Sequence, residues 1–152
     1  MPDVKIRETR IEDIAVLAGC LRKEDRMEVL AQGYASAGEA LQKSFEASKY
    51  RFTIDLKGKP VAMFGLIEVA PEQANVWFLG APGLSKMKKF FLSMSKEVVR
   101  EMLVEYPILW AQVDSRYEKT HGWLTWLGAK NAASRSINGV NFHHFVFSRQ
   151  EE

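Results

Sequence analysis

A chain of 152 residues, 47% hydrophobic and 26% charged, has the make-up of one globular domain with a sizeable core, expected to span residues 1–152. A formal net charge of +2 is too small to argue by itself for a nucleic-acid partner, and a single cysteine, Cys20, excludes an internal disulfide framework. No apolar run approaches a membrane span and the polar start Met1-Pro2-Asp3-Val4-Lys5 has no apolar signal region, so a protein of a reducing compartment, most simply the cytoplasm, is expected.

Lys5-Ile6-Arg7 reads as a short first strand. Thr9 and Glu12 have the spacing of a capping box, in which a hydroxyl and a carboxylate three residues on satisfy each other's backbone donors. They predict a helix to about Lys23 with Ile11, Ile14, Leu17, Ala18 and Leu21 on its apolar face. Cys20 falls on that side and reads as a small buried residue. A second, offset helical piece starts at Glu24 and ends near Gly33. Ser36 and Glu39 form another capping box, opening a helix through about Ala47. Strands follow: Tyr50–Leu56, a Lys57-Gly58-Lys59 turn, then Val61–Val69, apolar enough to be buried on both faces. Pro71 to Asn75 is the next turn.

Val76-Trp77-Phe78-Leu79 reads as a buried strand and Gly80-Ala81-Pro82-Gly83 as a turn. From Leu84 to about Tyr106, Met87, Phe90 or Phe91, Met94, Val98 and Met102 recur at helical spacing, opposite Lys88, Lys89, Lys96 and Arg100. Pro107 ends this helix and Ile108–Val113 is a fifth strand. Ser115 and Glu118 predict a cap for a helix over Arg116–Leu127, with Gly128 as its left-handed stop. Two last strands, Ala129–Ile137 and Val140–Ser148, are joined by Asn138-Gly139, a strong hairpin signal. The order is β-α-α-β-β-β-α-β-α-β-β, an α/β class.

Lys86, Lys88 and Lys89 sit where a helix dipole ordinarily disfavours cations. A glycine turn feeding a helix start is a ready anion site, and lysines there point to a phosphate-rich ligand. The competing reading is a solvated basic helix end, with the glycines serving only the turn.

This order, with its glycine turn between the fourth strand and the long helix, resembles the GNAT acetyltransferase fold over essentially the whole chain. The resemblance implies a single domain around a mixed central sheet. It also implies acetyl-coenzyme A as cofactor and an amine as acceptor, with Phe78, Leu79, Gly80, Gly83, Leu84, Ser85, Lys86, Lys88, Lys89 and Tyr117 as the coenzyme contacts. Leu127-Gly128-Ala129 resembles the superfamily's closing segment. Asp25-Arg26-Met27-Glu28, Gly58-Lys59-Pro60-Val61-Ala62-Met63-Phe64-Gly65 and Trp77-Phe78-Leu79-Gly80 are further similar to small proteins of short-tailed lytic phages. Tyr106-Pro107-Ile108-Leu109-Trp110 and Trp123-Leu124-Thr125-Trp126-Leu127-Gly128-Ala129 extend that similarity. Those proteins are described either as acetyltransferase-like or as internal virion protein A.

The phage resemblance implies one of two roles. In one, the protein acetylates an amine, such as a lysine of a host protein, in the host cytoplasm. In the other, an inactive scaffold binds other phage proteins inside the virion. The C-terminal hairpin is where this fold often contacts a second copy, so a homodimer is an expected partner state. Two departures from active members stand out. Leu84-Ser85-Lys86-Met87-Lys88-Lys89 has no glycine, which keeps a backbone further from a pyrophosphate. Leu124 holds the place of a frequent tyrosine acid, and Tyr117 the region of a frequent asparagine.

Acetyl transfer needs a base for the amine and, for the leaving thiolate, an acid. Asp25 and Glu28 share a helix face. Glu28 is the candidate base, or else both belong to a solvated acidic face paired with Arg22 or Arg26. Glu68 is a second candidate, or simply the polar residue where its strand emerges. Tyr117 and His121, one helical turn apart, are candidate acids lining the coenzyme channel. Alternatively, Tyr117 packs at a helix start and His121 is exposed. His143 and His144 point to opposite faces of a strand and no Cys/His cluster exists, so no metal is expected. Trp110, Trp123 and Trp126 fill the core or an interface. They are not interleaved with basic residues, which argues against direct nucleic-acid contact.

Overall fold

The computed structural model describes residues 3–149. Five helices and seven strands run in the order β1 (Val4–Glu8), α1 (Ile11–Ala18), α2 (Lys23–Ala31), α3 (Ala37–Ala47), β2 (Tyr50–Leu56), β3 (Lys59–Ala70), β4 (Gln73–Gly80), α4 (Lys88–Glu105), β5 (Ile108–Asp114), α5 (Glu118–Trp126), β6 (Lys130–Ile137) and β7 (Val140–Ser148). A 3-10 helix, Pro82–Met87, joins β4 to α4. The sheet is mixed, with strand order β1-β2-β3-β4-β5-β7-β6. Its β4–β5 pair is parallel, whereas β1–β2, β2–β3, β5–β7 and β6–β7 are antiparallel. The α/β class with a mixed central sheet is as expected, and the order differs by one helix.

The chain forms two compact units. One holds the residues up to Ile67 together with Trp77–Lys88, and the other holds Glu68–Val76 and the residues from Lys89 onward. In the first, α1, α2 and α3 bury Ile14, Leu17, Leu21, Val29, Ala40 and Leu41 against Met63 and Leu79. Phe52, Phe64 and Phe78 line the opposite strand face, with ring centroids 5.5 and 6.3 Å apart in turn. In the second, β5 and β7 bury Leu109, Val113, Phe145 and Phe147, and the helices contribute Met102 and Leu124.

Local chemistry moves several boundaries. The first helix begins one residue later than its expected cap. The Asp13 carboxylate takes the Arg10 N–H at 2.8 Å, and the Thr9 hydroxyl instead pairs with the Thr53 hydroxyl at 3.0 Å. That helix stops at Ala18 rather than Lys23, and Cys20 is exposed, its thiol on the Val16 carbonyl at 3.2 Å. Ser36 caps α3 as expected, accepting from Glu39 N–H at 3.1 Å. The Pro71 turn is shorter than expected, since β4 already starts at Gln73. The long helix starts at Lys88, because Pro82 fits the first turn of the preceding 3-10 segment. Ser115 does not cap α5. Asp114 receives the Arg116 N–H at 2.9 Å and Tyr117 stands at the cap position.

Both hairpins form where expected. Lys57 and Gly58 take φ of 53° and 84°, and Asn138 and Gly139 take 51° and 79°. These pairs of positive φ values are what a type I′ turn demands. Gly128, with φ of 106°, stops α5.

Candidate functional site

In the first unit, the end of β4 and the turn after it gather most of the expected coenzyme residues. β4 is hydrogen-bonded to β3 here: the Ala81 N–H donates to the Val61 carbonyl at 2.8 Å. Backbone groups alternate in direction along a strand, so the N–H and carbonyl of Gly80 face the edge away from β3. Both are engaged by the start of α2. The Gly80 N–H donates to Asp25 Oδ2 at 2.8 Å, and the Gly80 carbonyl accepts the Arg22 N–H at 2.8 Å. Asp25 is 8% exposed and also takes the Arg22 guanidinium at 2.8 Å. Burial pushes the Asp25 carboxyl up, against the opposing pull of Arg22 and the Gly80 N–H.

The turn offers little backbone to an anion. Gly80 and Ala81 N–H are engaged as above, Pro82 has none, and the Leu84 N–H bonds the Ala81 carbonyl at 3.2 Å. The glycines answer to packing inside the unit. A Cβ on Gly80 would collide with Leu84 Cδ1, and one on Gly83 would lie 3.1 Å from Val61 Cγ1. Leu79 and Leu84 point into the core, Phe78 is half-buried on Phe64, and the Ser85 hydroxyl donates to the Pro82 carbonyl at 3.0 Å. Lys86 and Lys88 are exposed. These residues fit a polyanion through lysine ammonium groups rather than through a backbone cradle. Glu28, half-buried, stands one turn beyond Asp25 on α2.

The second unit holds Lys89, Tyr117 and His121. Lys89 is exposed near the start of α4. Asp114, at the end of β5 and fully buried, accepts the Arg116 guanidinium at 2.6 Å. Burial opposes its charge, but the Arg116 side chain and N–H hold its carboxyl below the usual carboxylate range. His121 is half-buried rather than exposed, with Nε2 3.1 Å from the Asp114 carbonyl. A carbonyl only accepts, so Nε2 carries a proton and donates it there. Its ring lies 5.1 Å from that of His143, whose Nδ1 pairs with Ser134 Oγ at 2.8 Å. Tyr117 is half-buried just ahead of α5, and Leu124 is 6% exposed, a core residue.

Other expected residues have structural partners. The Tyr106 hydroxyl donates to Glu68 Oε1 at 2.5 Å. Trp110 Nε1 donates to Gln73 at 2.8 Å, and Trp123 packs on Phe91 at 5.1 Å. Trp126 is the exception to a core placement, 48% exposed with the Lys96 ammonium 4.3 Å from its ring centre. Among the described residues no group of three or more His, Cys, Asp or Glu could hold a metal, and no helix is long and apolar enough to cross a membrane. Asp25 pairs with Arg22, as one of the two readings of this acidic face expects, but it is buried rather than solvated, and its bond to the Gly80 N–H was not expected. Only the motif Asp25-x-x-Glu28 drew attention to that helix.

β4 and β5 pair only from Gln73 to Asn75 opposite Ile108 to Trp110. The chain as a whole is similar in fold to solved structures. Spermidine N-acetyltransferase from Vibrio cholerae in complex with CoA and spermine superposes with a TM-score of 0.68 at 14% identity, over 96% of this chain and 95% of that one. A GNAT-family acetyltransferase from Bacillus anthracis gives 0.68 at 10% identity, over 95% and 94%. Ard1 from Thermoplasma volcanium gives 0.66 at 14%, over 97% and 99%. The fold is that of the GNAT acetyltransferases. No family model and no curated protein matches the sequence.

Proposed function

We propose that the protein binds acetyl-coenzyme A and transfers the acetyl group to an amine. The observation that carries this reading is the likeness, over nearly all of both chains, to N-acetyltransferases, one of them solved with CoA. Lys86, Lys88 and Lys89 would hold the coenzyme phosphates. When bound, the coenzyme supplies an acetyl thioester with a thiolate leaving group. Glu28, half-buried on α2, is the candidate base for the ammonium form of the acceptor. Tyr117 and His121, one helical turn apart, are the candidate proton donors to the thiolate. The acceptor we favour is a lysine of a host protein modified during phage infection, a choice resting on the phage-protein resemblance of the motifs around Asp25, Gly58 and Trp77. The site of action is then the host cytoplasm.

Two observations favour a second reading, an inactive scaffold that binds virion proteins. Leu124 is buried where many members carry a tyrosine, and the turn after β4 has few backbone donors left for a pyrophosphate. Calorimetric titration with acetyl-coenzyme A, with thiol release measured against spermidine and a lysine peptide, separates the two. Enzyme function predicts micromolar binding, about tenfold or more weaker in the variant Lys86→Ala/Lys88→Ala/Lys89→Ala, and thiol release that depends on an amine. Binding without thiol release supports a scaffold that retains the coenzyme. Absence of both contradicts the proposal.

A further inference from the structure

Gly80 carries two hydrogen bonds that resemble strand pairing, yet its partner is the start of a helix. Arg22 N–H meets its carbonyl and Asp25 Oδ2 meets its N–H, each at 2.8 Å. An extended chain added to a sheet edge makes the same pair of bonds, one as donor and one as acceptor. The Arg22 guanidinium also lies 5.9 Å from the centre of the Phe78 ring. Phe78 is on the strand face opposite Leu79, which packs with α1–α3, so Arg22 reaches around the edge of β4. The side of β4 away from β3 is therefore filled, at Gly80, by the protein itself.

α2 is built to leave that position at modest cost. It has nine residues, and its buried side chains are Val29 and Asp25. Residues 19–22 precede it without regular structure, with Leu21 held in the core, and Gly33 follows at φ of 104°, so the part free to release is the first turn at Arg22 and Asp25. Arg22, at its N-cap position, makes no side-chain capping bond. Segments with few buried apolar contacts open at low free energy. The carboxylate that completes the contact is buried against an arginine whose side chain is itself 30% exposed.

We propose that the start of α2 is a latch on the side of β4 away from β3: Arg22 and Asp25 hold the two backbone groups of Gly80 that an extended, amide-bearing ligand would otherwise take, and such a ligand enters only when α2 releases them. The ligand class is set by the edge, a flexible chain with an amide N–H and carbonyl, as in the pantetheine arm of coenzyme A. This inference rests on the coenzyme reading given above.

Three proteins test it: wild type, Asp25→Ala, and Arg22→Pro. Arg22 has φ of −57°, which proline adopts, so that variant removes the N–H without straining the backbone at that residue. A ligand that must wait for a minor open state binds more weakly by the fraction of that state. Both variants should bind acetyl-coenzyme A about tenfold or more tightly than wild type in calorimetry. In wild type, saturating coenzyme should speed hydrogen exchange at the Arg22 amide while Gly80 stays protected. Equal affinities in all three overturn the latch and leave the coenzyme reading standing. No binding by any of the three overturns both. If the variants do not fold, wild-type exchange decides: coenzyme that binds without loosening the Arg22 amide overturns the latch.

Discussion

Two arginine–aspartate pairs in the same unit have opposite characters. Arg7 clasps Asp13 through two nitrogens at 2.8 and 2.9 Å and reaches Asp55 at 3.1 Å. Asp13 also accepts from the Arg10 N–H and the Thr53 hydroxyl, and Asp55 from the Gly58 N–H at 2.7 Å. These bonds tie α1, β1 and β2 together. Burial works against the Asp13 charge, yet Arg7 and the other donors hold its carboxyl below the usual range. Arg22 and Asp25 use the same residue types, but the carboxylate receives only the guanidinium and one strand N–H, and burial wins. The number of donors around a buried carboxylate separates an anchor from a contact that can be exchanged.

The sharpest break of this comparison is the loss of each arginine. Arg7→Ala leaves two buried carboxylates without their cation and should cost about 3–5 kcal/mol in urea unfolding. Arg22→Ala, at a partly exposed site, should cost about 1 kcal/mol. Equal losses would erase the distinction. Gly80→Ala comes next: the new methyl group meets Leu84 and Phe78, and overpacking of this kind costs about 1–3 kcal/mol. Leu84→Ala in the same chain should relieve part of that penalty, read from a double-mutant cycle. Additive losses would mean that Leu84 does not set the need for glycine.

A smaller effect lies in pH. The folded-state pKa of Asp13 is below 3.8, so its contribution is present above that pH and is lost as pH falls through 3.8 towards the folded value. Asp25 has a folded-state value above 3.8, so its contribution grows as pH falls through that value and is lost as pH rises. Urea midpoints between pH 3 and 7 should show the wild-type advantage over Asp13→Asn shrinking below about pH 4. Against Asp25→Asn the wild type should instead gain as pH drops from neutral. Slopes of one sign for both pairs would contradict the comparison.

What could be read along the chain was what is decided locally. Lys57-Gly58 and Asn138-Gly139 specify their hairpins because positive φ is costly for most other residues, and Ser36 with Glu39 announces α3 for similar reasons. Where two side chains competed for one cap, distant partners chose. Thr53 took Thr9 and Arg7 fixed Asp13, so the first helix began elsewhere. The offset helical piece expected from Glu24 to near Gly33 is α2, Lys23–Ala31, although one of its two buried positions is an aspartate, which weakens the apolar periodicity. The lysines and the glycine turn were visible, but what engages Gly80 was not. Asp25 is 55 positions away, and no local pattern records such a bond.

The most direct measurement is the melting temperature of the wild-type protein with millimolar acetyl-coenzyme A. A ligand that binds only the folded state must stabilise it, by about 2.7 kcal/mol at one hundred times its dissociation constant. The account predicts a rise of several degrees. No rise at millimolar coenzyme would contradict coenzyme binding.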